Sequence, residues 1–151
     1  MHAAEGLLLT CERLPEIALL WDEVMALARH TVSAMSAERQ QPLWQAFLRS
    51  PCYAKMAPVY QDWLQLFAKT AARDATAIAD IGTRMLANGA LRSQAQGAFL
   101  VPATASALIA LGDHAGAEKI ITSYWVNHER AAYEWPVMDM LLAMARRGEH
   151  R

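Results

Sequence analysis

An uncharged stretch from Ser93 to Gly112 strongly limits what this chain can fold into. The stretch ends at the turn sequence Gly112-Asp113-His114, and a second apolar, alanine-containing run follows. A membrane-spanning helix needs a nearly continuous apolar run, whereas Gln, Pro, Thr and Ser residues interrupt this one throughout. We therefore expect a buried helix of a soluble protein, followed by a second helix that packs against it.

The composition favours an all-α fold. Hydrophobic residues make up 54% of the chain, eight of them Met, and alternating β-branched runs are scarce. A chain of 151 residues can bury a substantial core without disulfides or metals. We expect one helical domain spanning residues 1–151.

The charge distribution argues against nucleic acid as a partner. The 14 basic side chains nearly cancel the 15 acidic ones, and each third of the chain mixes both signs, so there is no basic stripe to neutralise phosphates. The N-terminus lacks the basic region and apolar core of a signal peptide. We expect a cytoplasmic protein that does not bind membranes.

The first third predicts a helix from about Pro15 to Met35. Its apolar residues fall on one face, and four polar side chains fall on the opposite one. These are Glu12, Glu16, Glu23 and His30. Carboxylates and a histidine in line could form a metal site, but their position opposite the apolar stripe favours a solvated face. Cys11 and Cys52 belong to no metal-binding spacing and are interpreted as small buried residues.

An aromatic stripe dominates the middle of the chain. Ser36 is the predicted N-cap of a helix that Pro42 could delay and that ends at Ser50-Pro51. Large residues then recur at spacings of three and four, interrupted only by Pro58. They are Tyr53, Met56, Tyr60, Trp63, Leu64, Phe67 and Ala71. The stripe is typical of a packed core, and the alternative is that its rings line a ligand groove.

Four further helices are predicted in the second half. One begins after Arg73-Asp74, runs to about Ala87 and stops at Asn88-Gly89, and the next begins at a capping box of Ser93 and Gln96. Pro102 is expected to kink or split that helix. The last two are predicted from about Ala115 to His128 and from Val137 to Arg147, the latter preceded by Pro136 and ended by Gly148.

A faint repeat links two of these helix ends. The segment 108–114 is echoed by the segment 144–150, at an offset of 144 − 108 = 36 residues, and the segment 70–75 gives a weaker earlier echo. This spacing, with small residues about the turn, resembles the tetratricopeptide helix-turn-helix repeat. The best unit begins at Val101, with four matching positions besides its Gly112-Asp113 turn. They are Ala105 and Leu108 in the first helix and Ala117 and Ile121 in the second.

The match departs from the family at several positions. Val101 replaces a large aromatic residue, Tyr124 replaces an alanine, and no proline closes the unit. An earlier unit fits at Trp63, Leu66 and Ala79. The resemblance implies an array of stacked antiparallel helix pairs, with about seven to eight helices in all. Because the last unit is incomplete, we also expect the chain to be part of a longer polypeptide.

No motif for catalysis or for cofactor binding occurs in the sequence. Phosphate loops, nucleophile elbows, zinc-binding helices and dinucleotide fingerprints are all missing, so we predict no enzyme activity, no cofactor and no metal. The resemblance implies a scaffold or adaptor module that binds another protein or peptide and could form a homo-oligomer. The alternative is a helical domain that binds a small apolar ligand or serves a larger enzyme.

The irregular link between the last two predicted helices supplies the candidate contact residues. Aromatic and arginine side chains dominate binding hot spots, and this link concentrates them. The candidates are His128, Arg130, Tyr133 and Trp135. The opposite interpretation is that the aromatic residues cover the end of the core.

Overall fold

The computed structural model describes residues 37–89, 94–127 and 135–149, and every regular element in these ranges is an α-helix. The predicted all-α class is thus confirmed for the described part of the chain. No helix within these ranges has the length and apolarity needed to cross a membrane. The chain divides into two compact units, Met1–Ala72 and Arg73–Arg151, which are described separately. The expectation of one domain stays a prediction.

Three helices are described in the first unit. They are α1 (Ala37–Leu48), α2 (Pro51–Lys55) and α3 (Pro58–Ala71). Ser50 caps α2 by accepting a hydrogen bond from the Tyr53 backbone N–H at 3.2 Å. Pro58 occupies the first position of α3, where a missing N–H costs nothing, so the break in the stripe falls where the sequence predicted it. Pro42 lies inside α1 and does not delay its start.

The aromatic stripe forms much of the core of the first unit. Trp63 and Phe67 on α3 are only 1% and 2% exposed. The Phe67 ring stacks on Trp44 of α1 at a centroid distance of 5.4 Å and meets Trp63 at 6.0 Å. Offset ring pairs at these distances stabilise beyond the area they bury. For Trp63 and Phe67, the packing interpretation of the stripe is therefore confirmed.

Four helices are described in the second unit. They are α4 (Ala75–Ala87), α5 (Gln94–Ala110), α6 (His114–Asn127) and α7 (Trp135–Glu149). The uncharged stretch of the sequence supplies α5, which contacts α4, α6 and α7. Leu100, Val101 and Thr104 of α5 are fully buried. A helix with neighbours on several sides has little surface left for charge, which explains why the stretch carries none.

Gly89 and Gly112 mark two of the three helix ends that the sequence predicted at a glycine. Gly89 and Gly112 have φ of 66° and 83°, a left-handed conformation that only glycine adopts without cost, and they end α4 and α5. Gly148 lies one residue before the end of α7. The prediction that Pro102 could split its helix is wrong, because α5 is continuous from Gln94 to Ala110. Burial of α5 offsets the backbone hydrogen bond that a proline removes.

Several sequence predictions lie outside the described residues. They are the helix from Pro15 to Met35, the polar face of Glu12, Glu16, Glu23 and His30, and the Ser36 and Ser93 caps. The first described residues after the two caps, Ala37 and Gln94, are already helical.

Candidate functional site

The predicted contact residues fall almost entirely outside the described part of the chain. His128, Arg130 and Tyr133 lie between α6 and α7 in the undescribed range 128–134. Trp135 is described only as the first residue of α7. Their role in partner binding stays a prediction, and the described helices of the second unit supply a different candidate site.

A close contact between α4 and α5 fixes one wall of that site. Gly82 of α4 lies against Thr104 of α5 so closely that a Cβ at Gly82 would lie 2.9 Å from both Cβ and Cγ2 of Thr104. Thr104 is fully buried, and its hydroxyl donates to the Leu100 carbonyl at 2.7 Å. That bond satisfies the hydroxyl within its own helix, so the contact with α4 needs no other polar partner.

The turn between α5 and α6 shapes the opposite wall. Asp113 N–H donates to the Leu108 carbonyl and Gly112 N–H to the Ile109 carbonyl, the pair of bonds that defines a Schellman end. The Asp113 carboxylate then accepts from Gly116 N–H at 2.9 Å and caps α6. The chain thus reverses within three residues, which sets the start of α6 beside the end of α5.

An open groove of about 610 Å³ lies between the C-terminal half of α4 and α6, and we call it the α4–α6 groove. Its lining residues are Thr83, Leu86, Ala87, Gly89, Leu108, Asp113, Gly116, Lys119, Ile120, Ser123 and Tyr124. They come from both helices and the end of α5, at helical spacings of three and four. No single helix carries all of these residues, so the sequence of one helix does not reveal the groove.

The groove combines apolar walls with a polar edge. Leu108 is buried, and Leu86 and Ile120 are half-buried. Thr83, Lys119 and Ser123 are exposed. Apolar side chains that line a concavity, with a few polar groups beside them, are typical of ligand and peptide sites. Asp113 is the groove's single described carboxylate, and it already caps α6.

A second, smaller concavity lies where α6 meets α7, and we call it the α7 hollow. It has a volume of about 320 Å³ and is lined by Ile109, His114, Met144, Arg147 and Gly148. The His114 ring packs against Gly148, where any side chain would overlap it, and the buried His114 Nδ1 has no hydrogen-bond partner. Next to it, Arg146 Nε donates to Glu118 Oε1 at 2.7 Å.

Comparisons with protein-family models, with curated proteins and with solved structures found no match for this chain. The resemblance to the tetratricopeptide repeat therefore stays a prediction.

Proposed function

We propose that this protein is a helical protein-interaction module without catalytic activity, and that it binds an amphipathic segment of another protein in the α4–α6 groove. The carrying observation is the groove itself, which is open, about 610 Å³ in volume and walled by Leu86, Leu108 and Ile120. A groove of this kind accepts apolar side chains spaced along one face of a peptide.

Two observations support a tetratricopeptide-like array behind this groove. The four matched positions, Ala105, Leu108, Ala117 and Ile121, are all buried. The turns before α4 and α6 are also built alike. Arg73 and Gly112 have positive φ, and the next residue in each case, Asp74 or Asp113, caps the helix through the N–H three residues on. Stacked antiparallel helix pairs would recur with such a turn.

The polar edge of the groove favours a partner with negative charge. Lys119 is exposed at the groove, and Asp113 is occupied by its cap to Gly116. A carboxylate on the bound segment would therefore meet an available ammonium group. The exposed hydroxyl of Thr83 can hydrogen-bond a polar group of the same segment.

Selection from a random peptide library tests this proposal. Peptides of about 14 residues, the length of a typical recognition helix, would be displayed on phage and selected on the full chain. We expect enriched peptides with apolar residues at helical spacing and at least one Asp or Glu. In fluorescence anisotropy, Thr83→Trp should weaken their binding at least about tenfold, because the indole would fill the groove.

Two further variants make the result specific to the groove. Lys119→Glu should weaken binding about three- to tenfold, and the loss should shrink as salt is raised. Ser106→Trp places the same indole at an exposed position of α5 that does not line the groove, and it should bind like the wild type. Failure to enrich any peptide, or equal binding by the Thr83→Trp variant, would overturn the proposal.

A further inference from the structure

The α7 hollow is lined by basic and apolar side chains and by no described carboxylate. Ile109 comes from the end of α5, His114 from the start of α6, and Met144, Arg147 and Gly148 from α7. Met144 lies three residues before Arg147 and four before Gly148, which places all three on one face of α7. Because Arg147 carries the permanent charge of this lining, the hollow favours an anion.

The guanidinium of Arg147 has two Nη groups available for such an anion. Its Nε donates to the Ala143 carbonyl at 3.2 Å, which holds the side chain along its own helix. Neither Nη group has a hydrogen-bond or ion-pair partner in the described part of the chain. The neighbouring Arg146 differs, because it is paired with Glu118. Two adjacent Nη groups match the two oxygens of a carboxylate, so Arg147 is suited to bind one.

His114 supplies a second hydrogen-bond donor to the hollow. Its ring packs against Gly148, and of its two nitrogens only Nδ1 is buried without a partner. A buried N–H that lacks an acceptor is rarer in proteins than an unpaired acceptor, so the neutral ring should carry its proton on Nε2. No described group accepts from Nε2, which leaves this N–H for a ligand in the hollow.

The volume and the apolar walls of the hollow define the rest of the ligand. At about 30 Å³ for each water-sized group, a space of about 320 Å³ holds about ten non-hydrogen atoms. Ile109 is half-buried and Met144 is 43% exposed, so both present apolar surface that a hydrocarbon chain would remove from water. The lining thus fits a small molecule with one anionic end and one apolar end.

We propose that the α7 hollow binds a small carboxylate that carries a short apolar chain. The carboxylate accepts hydrogen bonds from the Nη groups of Arg147 and from Nε2–H of His114. The chain packs on Ile109 and Met144. This site is separate from the α4–α6 groove and goes beyond the proposed function. Because the hollow is open and the ligand is small, we expect a dissociation constant on the order of 1 mM.

Titration of the full chain with hexanoate, followed by amide NMR spectra, tests the proposal. The amide signal of Gly148 should shift and saturate below about 20 mM hexanoate. Hexanol has the same chain without the charge and should bind at least about tenfold more weakly. Arg147→Gln should raise the dissociation constant for hexanoate about tenfold. His114→Phe keeps a ring over Gly148 but removes the donor, and it should raise the constant about fivefold.

Two control variants separate this site from general charge effects and from the groove. Arg146→Gln removes the same charge one residue away, at a position that does not line the hollow, and it should bind hexanoate within about twofold of the wild type. Thr83→Trp blocks the groove and should bind hexanoate like the wild type, so the two proposals can fail independently.

Three results would overturn the inference. The first is a Gly148 signal that does not shift with hexanoate up to about 20 mM. The second is equal binding of hexanol and hexanoate, which would leave the carboxylate without a role. The third is an Arg147→Gln variant that binds hexanoate as tightly as the Arg146→Gln variant does.

Discussion

The two units of this protein pack their helices by different means. In the first unit, large rings fill the space between α1 and α3, with Phe67 between Trp44 and Trp63. In the second, a missing side chain lets two helices approach closely, as Gly82 of α4 does against the side chain of Thr104 of α5. Rings can adjust a little around a substitution, but a contact made by a missing Cβ has no room to adjust. The two units should therefore be destabilised by opposite kinds of substitution. The first should lose stability when side chains are shortened, and the second when atoms are added at its close helix contact.

The largest effect should come from removing a ring in the first unit. Phe67→Ala leaves a cavity beside both tryptophans and should lower the free energy of unfolding by about 3 to 5 kcal/mol. Chemical denaturation followed by tryptophan fluorescence measures it. Phe67→Leu, which keeps most of the volume, is the matched control and should cost less than half as much. Equal losses for both variants would contradict a packing role for the ring.

The second largest loss of stability should come from adding one methyl group in the second unit. Gly82→Ala would place its Cβ against Thr104 and should destabilise by about 1 to 3 kcal/mol, although alanine favours helices by about 1 kcal/mol over glycine. Thr104→Ala in the same chain should recover part of the loss, since it removes the atoms that overlap. A double-mutant cycle in urea measures this coupling. A Gly82→Ala variant as stable as the wild type would show that α4 and α5 do not depend on this close approach.

Substitutions in the two Asp-capped turns, before α4 and before α6, should have smaller effects on stability, and of opposite sign. Gly112→Ala forces an L side chain into φ of 83° and should cost about 1 to 2 kcal/mol. Arg73→Gly removes a side chain from φ of 55° and should stabilise by up to about 1 kcal/mol, reduced by the flexibility of glycine in the unfolded chain. Thermal unfolding measures both shifts. Shifts of the same sign would contradict the equivalence of the two turns.

The smallest effect should belong to the ion pair between α6 and α7. Arg146 and Glu118 are 2.7 Å apart, but both side chains are partly exposed to solvent. Exposed pairs contribute little because water screens them, so Arg146→Ala should change stability by no more than about 0.5 kcal/mol. The difference should vanish in 1 M salt, where the screening length is about 3 Å. A larger loss that persists in salt would mean that the arginine stem contributes packing instead.

Local signals in the sequence predicted most of the helix ends. Gly89, Gly112 and the proline at position 58 act through their own backbone geometry, so a single residue is enough to place an end. The aromatic stripe predicted the packing of Trp63 and Phe67 because helical spacing puts such residues on one face. Whether a helix continues through Pro102 could not be predicted from that residue alone. Its cost is local, whereas the packing that keeps α5 continuous comes from three neighbouring helices.

The candidate sites were harder to predict because they depend on more than one helix. The α4–α6 groove needs Leu86, Leu108 and Ile120 from three helices, which lie far apart in the sequence. Gly82 did not indicate a close helix contact in the sequence, because a glycine inside a predicted helix indicates only a weak helix former. The prediction of contact residues in the last link depends on residue type and not on geometry; these residues are His128, Arg130, Tyr133 and Trp135. The concavities of the second unit lie elsewhere along the chain.

The contact between Gly82 and Thr104 also sets the longitudinal alignment of α4 on α5. If α4 slid by one helical turn, Ile78 or Leu86 would replace Gly82, and its Cβ would occupy the space that Thr104 now uses. The pair therefore favours one register of α4 on α5 and destabilises the registers one turn away. Thr83 and Leu86 lie on the same helix as Gly82, so the Gly82–Thr104 contact also determines which residues of α4 face Ile120 and Ser123. A single missing Cβ thus specifies how the two walls of the groove are matched.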